Sequence, residues 1–146
     1  MRFDKFTMKA QEAIQESQGI AEKYGHQQIE PEHLLMALTL QKDGIVTPIL
    51  KKLEVDSAII LSQLEGFLTR IPKVSGGGMS QPYISPRSKK IFDQSFQEAE
   101  RLKDEYVSTE HIFIAIADAK GGESSKLLSS LGVTKDALYN VLVSIR

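Results

Sequence analysis

Shifted against itself by 78 residues, the sequence aligns residues 7–68 with residues 85–146 without a gap. Twelve of the 62 pairs are identical, where chance pairing at average composition gives about four. Ser17/Ser95, Ala21/Ala99, Glu32/Glu110, His33/His111, Ala37/Ala115, Gly44/Gly122, Leu50/Leu128 and Leu64/Leu142 are among them. Other pairs keep their chemical type, as in Ile14/Phe92, Ile29/Val107 and Leu34/Ile112. A duplicated unit of roughly 60 residues is marginal as an independent domain. The two copies are therefore expected to pack pseudo-symmetrically through an apolar seam, as one domain.

Each copy reads as four helices, which gives an all-α fold of eight helices in two pseudo-twofold-related repeats, residues 7–68 and 85–146. Thr7 and Ser85 are N-cap residues, the second followed by Pro86 at the first helical position, where a missing N–H costs nothing. The stripe Ala10, Ala13, Ile14, Ser17, Ala21, Tyr24 recurs as Ser88, Ile91, Phe92, Ser95, Ala99, Leu102 at the spacing of a buried helical face. The second helix starts near Pro31 in one copy and is capped by Ser108 in the other. Gly44 and Gly122 punctuate the turn to a short third helix, and Asp56 and Thr134 cap the fourth. No segment shows strand alternation. Residues 69–84, with Pro72, three glycines and Pro82, are expected to form a flexible surface connector.

Composition narrows the function classes. Eighteen basic and 19 acidic side chains leave a net charge of −1, with no single-sign block to suit nucleic acid or anionic lipid. There is no cysteine, which removes disulfides and thiolate chemistry. Arg2, Asp4, Lys5 and Lys9 stand where a secretory leader would be apolar, and no run reaches the length of a membrane span, so a cytoplasmic protein is expected.

The duplicated Glu-His pair invites a site reading. However, Glu32 and Glu110 fall in the first turn of the second helix, where the helix dipole favours a carboxylate. His33 and His111 share a helical face with Ala37 and Ala115, which suits a packed, hydrogen-bonded imidazole. The spacing fits no metalloprotease motif, and adjacent side chains diverge by about 100° around a helix. His26 is expected in a polar turn, Glu98 and Glu100 on a solvated helix face, and SGGGMS and GGESSK in loops without a P-loop ending. No catalytic, cofactor or metal site is expected in these residues.

FDKFTMKAQEAI, IEPEHLLMAL, RIPKVSG, YISPRSKKIF and LKDEYVSTEHIFIAI together resemble the Clp N-terminal double-repeat domain, and most closely its ClpB type. The resemblance covers essentially the whole chain. It implies an N-terminal domain tethered to AAA+ modules that bind ATP and Mg and form a homohexamer. It further implies capture of unfolded or aggregated polypeptide, with an Hsp70-type cochaperone acting elsewhere on the parent. The alternative is an adaptor- or substrate-docking domain of a ClpC/ClpA-type, protease-linked unfoldase. Thr7, Asp104 and Glu110 match residues bordering the substrate surface. Phe3, Tyr83 and Tyr106 are candidate apolar contacts, with packing as their alternative role. Some ClpB relatives carry leucines at the positions matched to Gln94, Glu98 and His111, so a groove here is expected to be less apolar or displaced.

Overall fold

The computed structural model describes residues 3–74 and 81–146; SGGGMS lies outside them. Among the described residues a 3-10 turn, Phe3–Lys5, leads into α1 (Met8–Lys23), α2 (Pro31–Leu40), α3 (Val46–Lys52) and α4 (Ser57–Arg70). The second half holds α5 (Pro86–Arg101), α6 (Thr109–Asp118), α7 (Glu123–Ser130) and α8 (Lys135–Ile145). The starts of α1 and α5, α2 and α6, and α4 and α8 are each 78 residues apart.

Side-chain caps set these starts. Ala10 N–H donates to Thr7 Oγ1 at 3.2 Å, and Ser88 N–H to Ser85 Oγ at 3.1 Å. Asp56 and Thr134 accept from Ala58 N–H and Ala137 N–H at 2.9 and 3.2 Å. Each satisfies a helical donor that has no partner within its own helix. Gly25 and Lys103, equivalent under the offset, both take a left-handed conformation after the first helix of their halves, with φ of 73° and 61°. The shared turn thus outlasts the loss of the glycine.

α2 and α6 are apolar nearly all round, and Pro31 to Thr39 and His111 to Ile116 are buried, so these two helices form the centre of the molecule. They cross each other, with α1 packed on α2 and α5 on α6. The main contacts between halves come in matched sets: α4 with α7 and α8 with α3, α1 with α6 and α5 with α2, α2 with α7 and α6 with α3. Exchanging the halves returns the same set, which is the pseudo-twofold expressed as packing. Neither half could keep its apolar faces dry without the other.

Several expectations are corrected. Two short parallel strands exist, β1 (Gln28–Ile29) and β2 (Tyr83–Ile84), with Ile29 opposite Ile84. The pseudo-symmetric counterpart is an isolated bridge between Phe6 and Val107. Two residues are too few to show alternation, and both pairings join one half to the other. The connector is anchored at its ends: α4 runs on to Arg70, Val74 N–H donates to Gly25 O at 2.8 Å, and Tyr83 belongs to β2. GGESSK is not a loop, because Gly122 caps α7 and the following residues form its first turn. His26 and Glu98 are buried, as described below, whereas Glu100 is exposed.

Candidate functional site

The histidines of the two Glu-His pairs close capping boxes with Glu30 and Ser108, in the role usually taken by Glu or Gln, and Glu32 and Glu110 are not members of them. Glu30 N–H donates to His33 Nδ1 and Ser108 N–H to His111 Nδ1, each at 2.8 Å. A backbone N–H can only donate, so Nδ1 is the acceptor and the neutral rings carry their proton on Nε2. In repeat one His33 Nε2–H donates to His26 Nδ1 at 2.9 Å. In repeat two His111 Nε2–H donates to Asp104 Oδ2 at 2.8 Å. His26 and Asp104 are equivalent under the offset, so one frame carries a neutral acceptor in one half and an anion in the other. His26 is buried against Tyr24, with ring centroids 5.6 Å apart, which is why its polar neighbours in sequence mislead. Burial first, then His26, lowers the His33 pKa to about 4.

The paired glutamates diverge. Glu32 is fully buried and reaches across the seam, where Arg87 grips its two oxygens at 3.2 Å each. It also accepts from Ser124 N–H at 3.2 Å and Ser124 Oγ at 2.8 Å, at the start of α7. Gly122 makes this possible, since a Cβ there would collide with the Arg87 guanidinium and its φ is 92°. Glu32 therefore answers the dipole of α7 in the other repeat, beyond its own helix. Glu110 instead accepts from Ser108 Oγ and lies 3.7 Å from Arg146.

Five of the six candidate contact residues gather around the Phe6–Val107 bridge. Thr7 N–H donates to Val107 O at 2.9 Å, and Val107 N–H to Lys5 O at 2.8 Å. Lys5 Nζ stands 6.0 Å above the Tyr106 ring, and Phe3 leans on Phe6 with centroids 6.1 Å apart. Phe3 and Tyr106 are both 47% exposed. Asp104 and Glu110 follow on the same stretch, joined by Arg146, whose guanidinium, ahead of His111, holds the Asp104 carboxyl below the usual carboxylate range. Tyr83 is not part of this group; it sits 54% exposed on β2 at the pseudo-symmetric strand pair. Sequence reasoning missed Lys5 and Arg146. A clue to Lys5 lay in its place beside an aromatic-rich start, but nothing local marks Arg146, which is brought in by α8.

Glu98 departs from the solvated helix face expected for it. It is fully buried, bonded by Tyr139 Oη–H, by Gln94 Nε2 at 2.8 Å, and paired with Lys135 at 3.3 Å. Burial raises its pKa, but those three partners together outweigh it and hold the carboxyl below its usual range. The repeat-one equivalents are Ile20, Leu61 and Ser57, so two apolar positions of the core there have become members of a satisfied polar cluster here. Glu98 and His111 are thus engaged by internal partners. The sequence has no P-loop, and no group of three or more His, Cys, Asp or Glu that could hold a metal occurs among the described residues. No helix is long and apolar enough to cross a membrane, among the residues described.

The sequence profile of the Clp repeat (R) N-terminal domain matches residues 5–141. The chain belongs to that family. A relative named chaperone protein ClpB, from Bdellovibrio bacteriovorus, is 41% identical over 140 residues, covering 96% of this chain and 16% of its own length. The Hsp104 N-terminal domain from Candida albicans superposes with a TM-score of 0.77 at 18% identity, covering 91% of this Clp repeat domain and 85% of that chain. A ClpV N-domain solved in complex with a VipB peptide gives 0.78 at 19% identity, covering 92% and 82%. At these identities the two structures share the fold. This chain spans 16–17% of the length of the curated relatives it matches.

One substitution separates structure from binding at Thr7. Thr7→Ala is expected to lower stability by about 1 kcal/mol through loss of the α1 cap, whereas Thr7→Ser retains it. Thermal denaturation of both variants, beside binding assays, shows which effect the side chain carries.

Proposed function

We propose that this domain captures exposed segments of unfolded or aggregated polypeptide for a ClpB-type, ATP-dependent disaggregating chaperone. The parent would be a cytoplasmic homohexamer whose AAA+ modules, outside this chain, bind ATP and Mg. An Hsp70-type system would act elsewhere on it. The domain's own part is to bind, not to catalyse.

The supporting observation is the face at the Phe6–Val107 bridge. Two half-exposed aromatic rings, Phe3 and Tyr106, stand beside polar groups whose positions are fixed by the fold, namely Thr7, Asp104 and Glu110. Such a face offers apolar contact without reading a sequence, and the carboxylates and Lys5 orient a chain laid across it. Tyr83 would supply a second contact at the other bridge. ClpB-named relatives matching over nearly the entire chain favour this reading over adaptor docking in a ClpC/ClpA-type unfoldase.

The test is an NMR titration of the labelled domain with a permanently unfolded, carboxymethylated protein and with its folded parent. Shifts are expected at Phe3, Thr7, Asp104, Tyr106 and Glu110 with the unfolded form alone. Silence at those residues would defeat the placement, and shifts only with a folded partner would favour the docking reading.

A further inference from the structure

A hollow of about 400 Å³ opens in repeat two between α5, α6 and the start of α7, away from the face at the Phe6–Val107 bridge. Its apolar wall is made by Pro31, Ile91, Ala115, Ile116 and Ala119. Arg87, Lys90 and Lys120 stand at its edge. Arg87 is committed to Glu32 and Glu30, and the one acid among the lining residues, Asp118, lies 3.5 Å from Lys135. Lys90 and Lys120 are exposed and meet no carboxylate among the described residues.

The duplicated half shows how this hollow would otherwise be closed. Gln41, the counterpart of Ala119, turns its side chain inward there: its amide donates to Lys9 O at 3.1 Å, and its oxygen packs against Gly44. Asp43, the counterpart of Gly121, pairs with Lys9, the counterpart of Arg87. Repeat two has thus lost both the filling amide and the balancing acid, while position 12, an acid in repeat one, has become Lys90. The unfilled space and the added charge of Lys90 result from the same set of exchanges, while Lys120 keeps the charge of Lys42; of the apolar wall, Ala119 is the residue most open to solvent.

We propose that this hollow docks a peptide segment in which one medium-sized apolar side chain is flanked by carboxylates. The apolar side chain fills the space that Gln41 occupies in repeat one. The flanking acids face Lys90 and Lys120, which supply the only uncompensated charge among the described lining residues. Apolar burial supplies most of the affinity and the lysines supply selectivity, so binding weakens with salt.

The experiment is fluorescence anisotropy with three labelled heptapeptides that differ in the central tripeptide: Asp-Leu-Glu, Lys-Leu-Lys and Asp-Ala-Glu. The Asp-Leu-Glu peptide is expected to bind roughly fivefold or more tightly than either other, the range two exposed charge contacts or a few buried methyl groups provide. Lys90→Glu/Lys120→Glu, at two exposed positions, should reverse the charge preference, and Ala119→Gln should abolish binding of all three by restoring the repeat-one plug. Circular dichroism of each variant confirms that it folds. Equal binding of the three peptides, or a preference untouched by the double lysine variant, overturns the proposal. So do NMR shifts confined to Phe3, Thr7 and Tyr106, which would leave the reading of the other face standing.

Discussion

Glu32→Ala is expected to lower the melting temperature by roughly 6–12 °C, about 3 kcal/mol, while Glu110→Ala costs under about 1 kcal/mol. The two glutamates hold identical places in the repeat. Removing Glu32 strands Ser124 N–H and Oγ at the buried start of α7 and leaves Arg87 facing the seam without its carboxylate. Because the Arg87 side chain is 47% exposed and can turn to water, the loss falls at the lower end for a broken buried pair. Glu110 has only a neighbouring hydroxyl and a distant arginine to lose. Calorimetric melting of both variants decides the matter; equal shifts would mean that the contact across the seam contributes nothing beyond the helix start that both share.

Stability should also fall as pH drops from about 6.5 to 4, and His33 should account for much of it. Its folded pKa of about 4 lies below the ordinary 6.5. The unfolded chain therefore takes up a proton first in that interval, and a contribution present in full above pH 6.5 is lost progressively down to pH 4. The difference corresponds to roughly 3 kcal/mol. The cause is geometric: Nδ1 already receives Glu30 N–H and Nε2–H points at His26, so a second proton has no place without opening the cap. Glu32 alone among its immediate charged neighbours favours protonation, and burial and His26 outweigh it. Asp104 and Glu98 are held below ordinary values of 3.8 and 4.5, so the stability they supply is lost at lower pH. His33→Gln keeps an oxygen that can accept the Glu30 N–H and removes the titration. Urea denaturation of this variant between pH 7 and 4.5 should show a nearly flat midpoint where the parent declines; parallel declines would refute the assignment.

The caps at Thr7, Ser85, Asp56 and Thr134, the buried stripes of α1 and α5 and the starts of α2 and α6 were legible because each is written within one or two turns of chain. The structural role of His33 and His111 was legible for the same reason, since a capping box spans only four residues. His26, Glu98 and Glu32 were not, because local polarity says where a side chain would sit if nothing covered it. Tyr24, Tyr139 and Arg87 do the covering, and two of those three come from another helix of the tertiary fold.

By itself, then, the sequence determined a duplicated four-helix unit that must pair with its copy, since periodicity and length are local properties that fix which faces are apolar and how much of them there is. Only the tertiary structure decided which of two identical glutamates crosses the seam, which bridge collects Phe3 and Tyr106, and which half leaves the space beside its second helix's end unfilled. Those outcomes depend on single exchanges, such as Gln41 for Ala119 or Ile20 for Glu98, acting between helices far apart in the chain. Contacts of that kind are set by packing geometry, and a one-dimensional pattern carries no record of them.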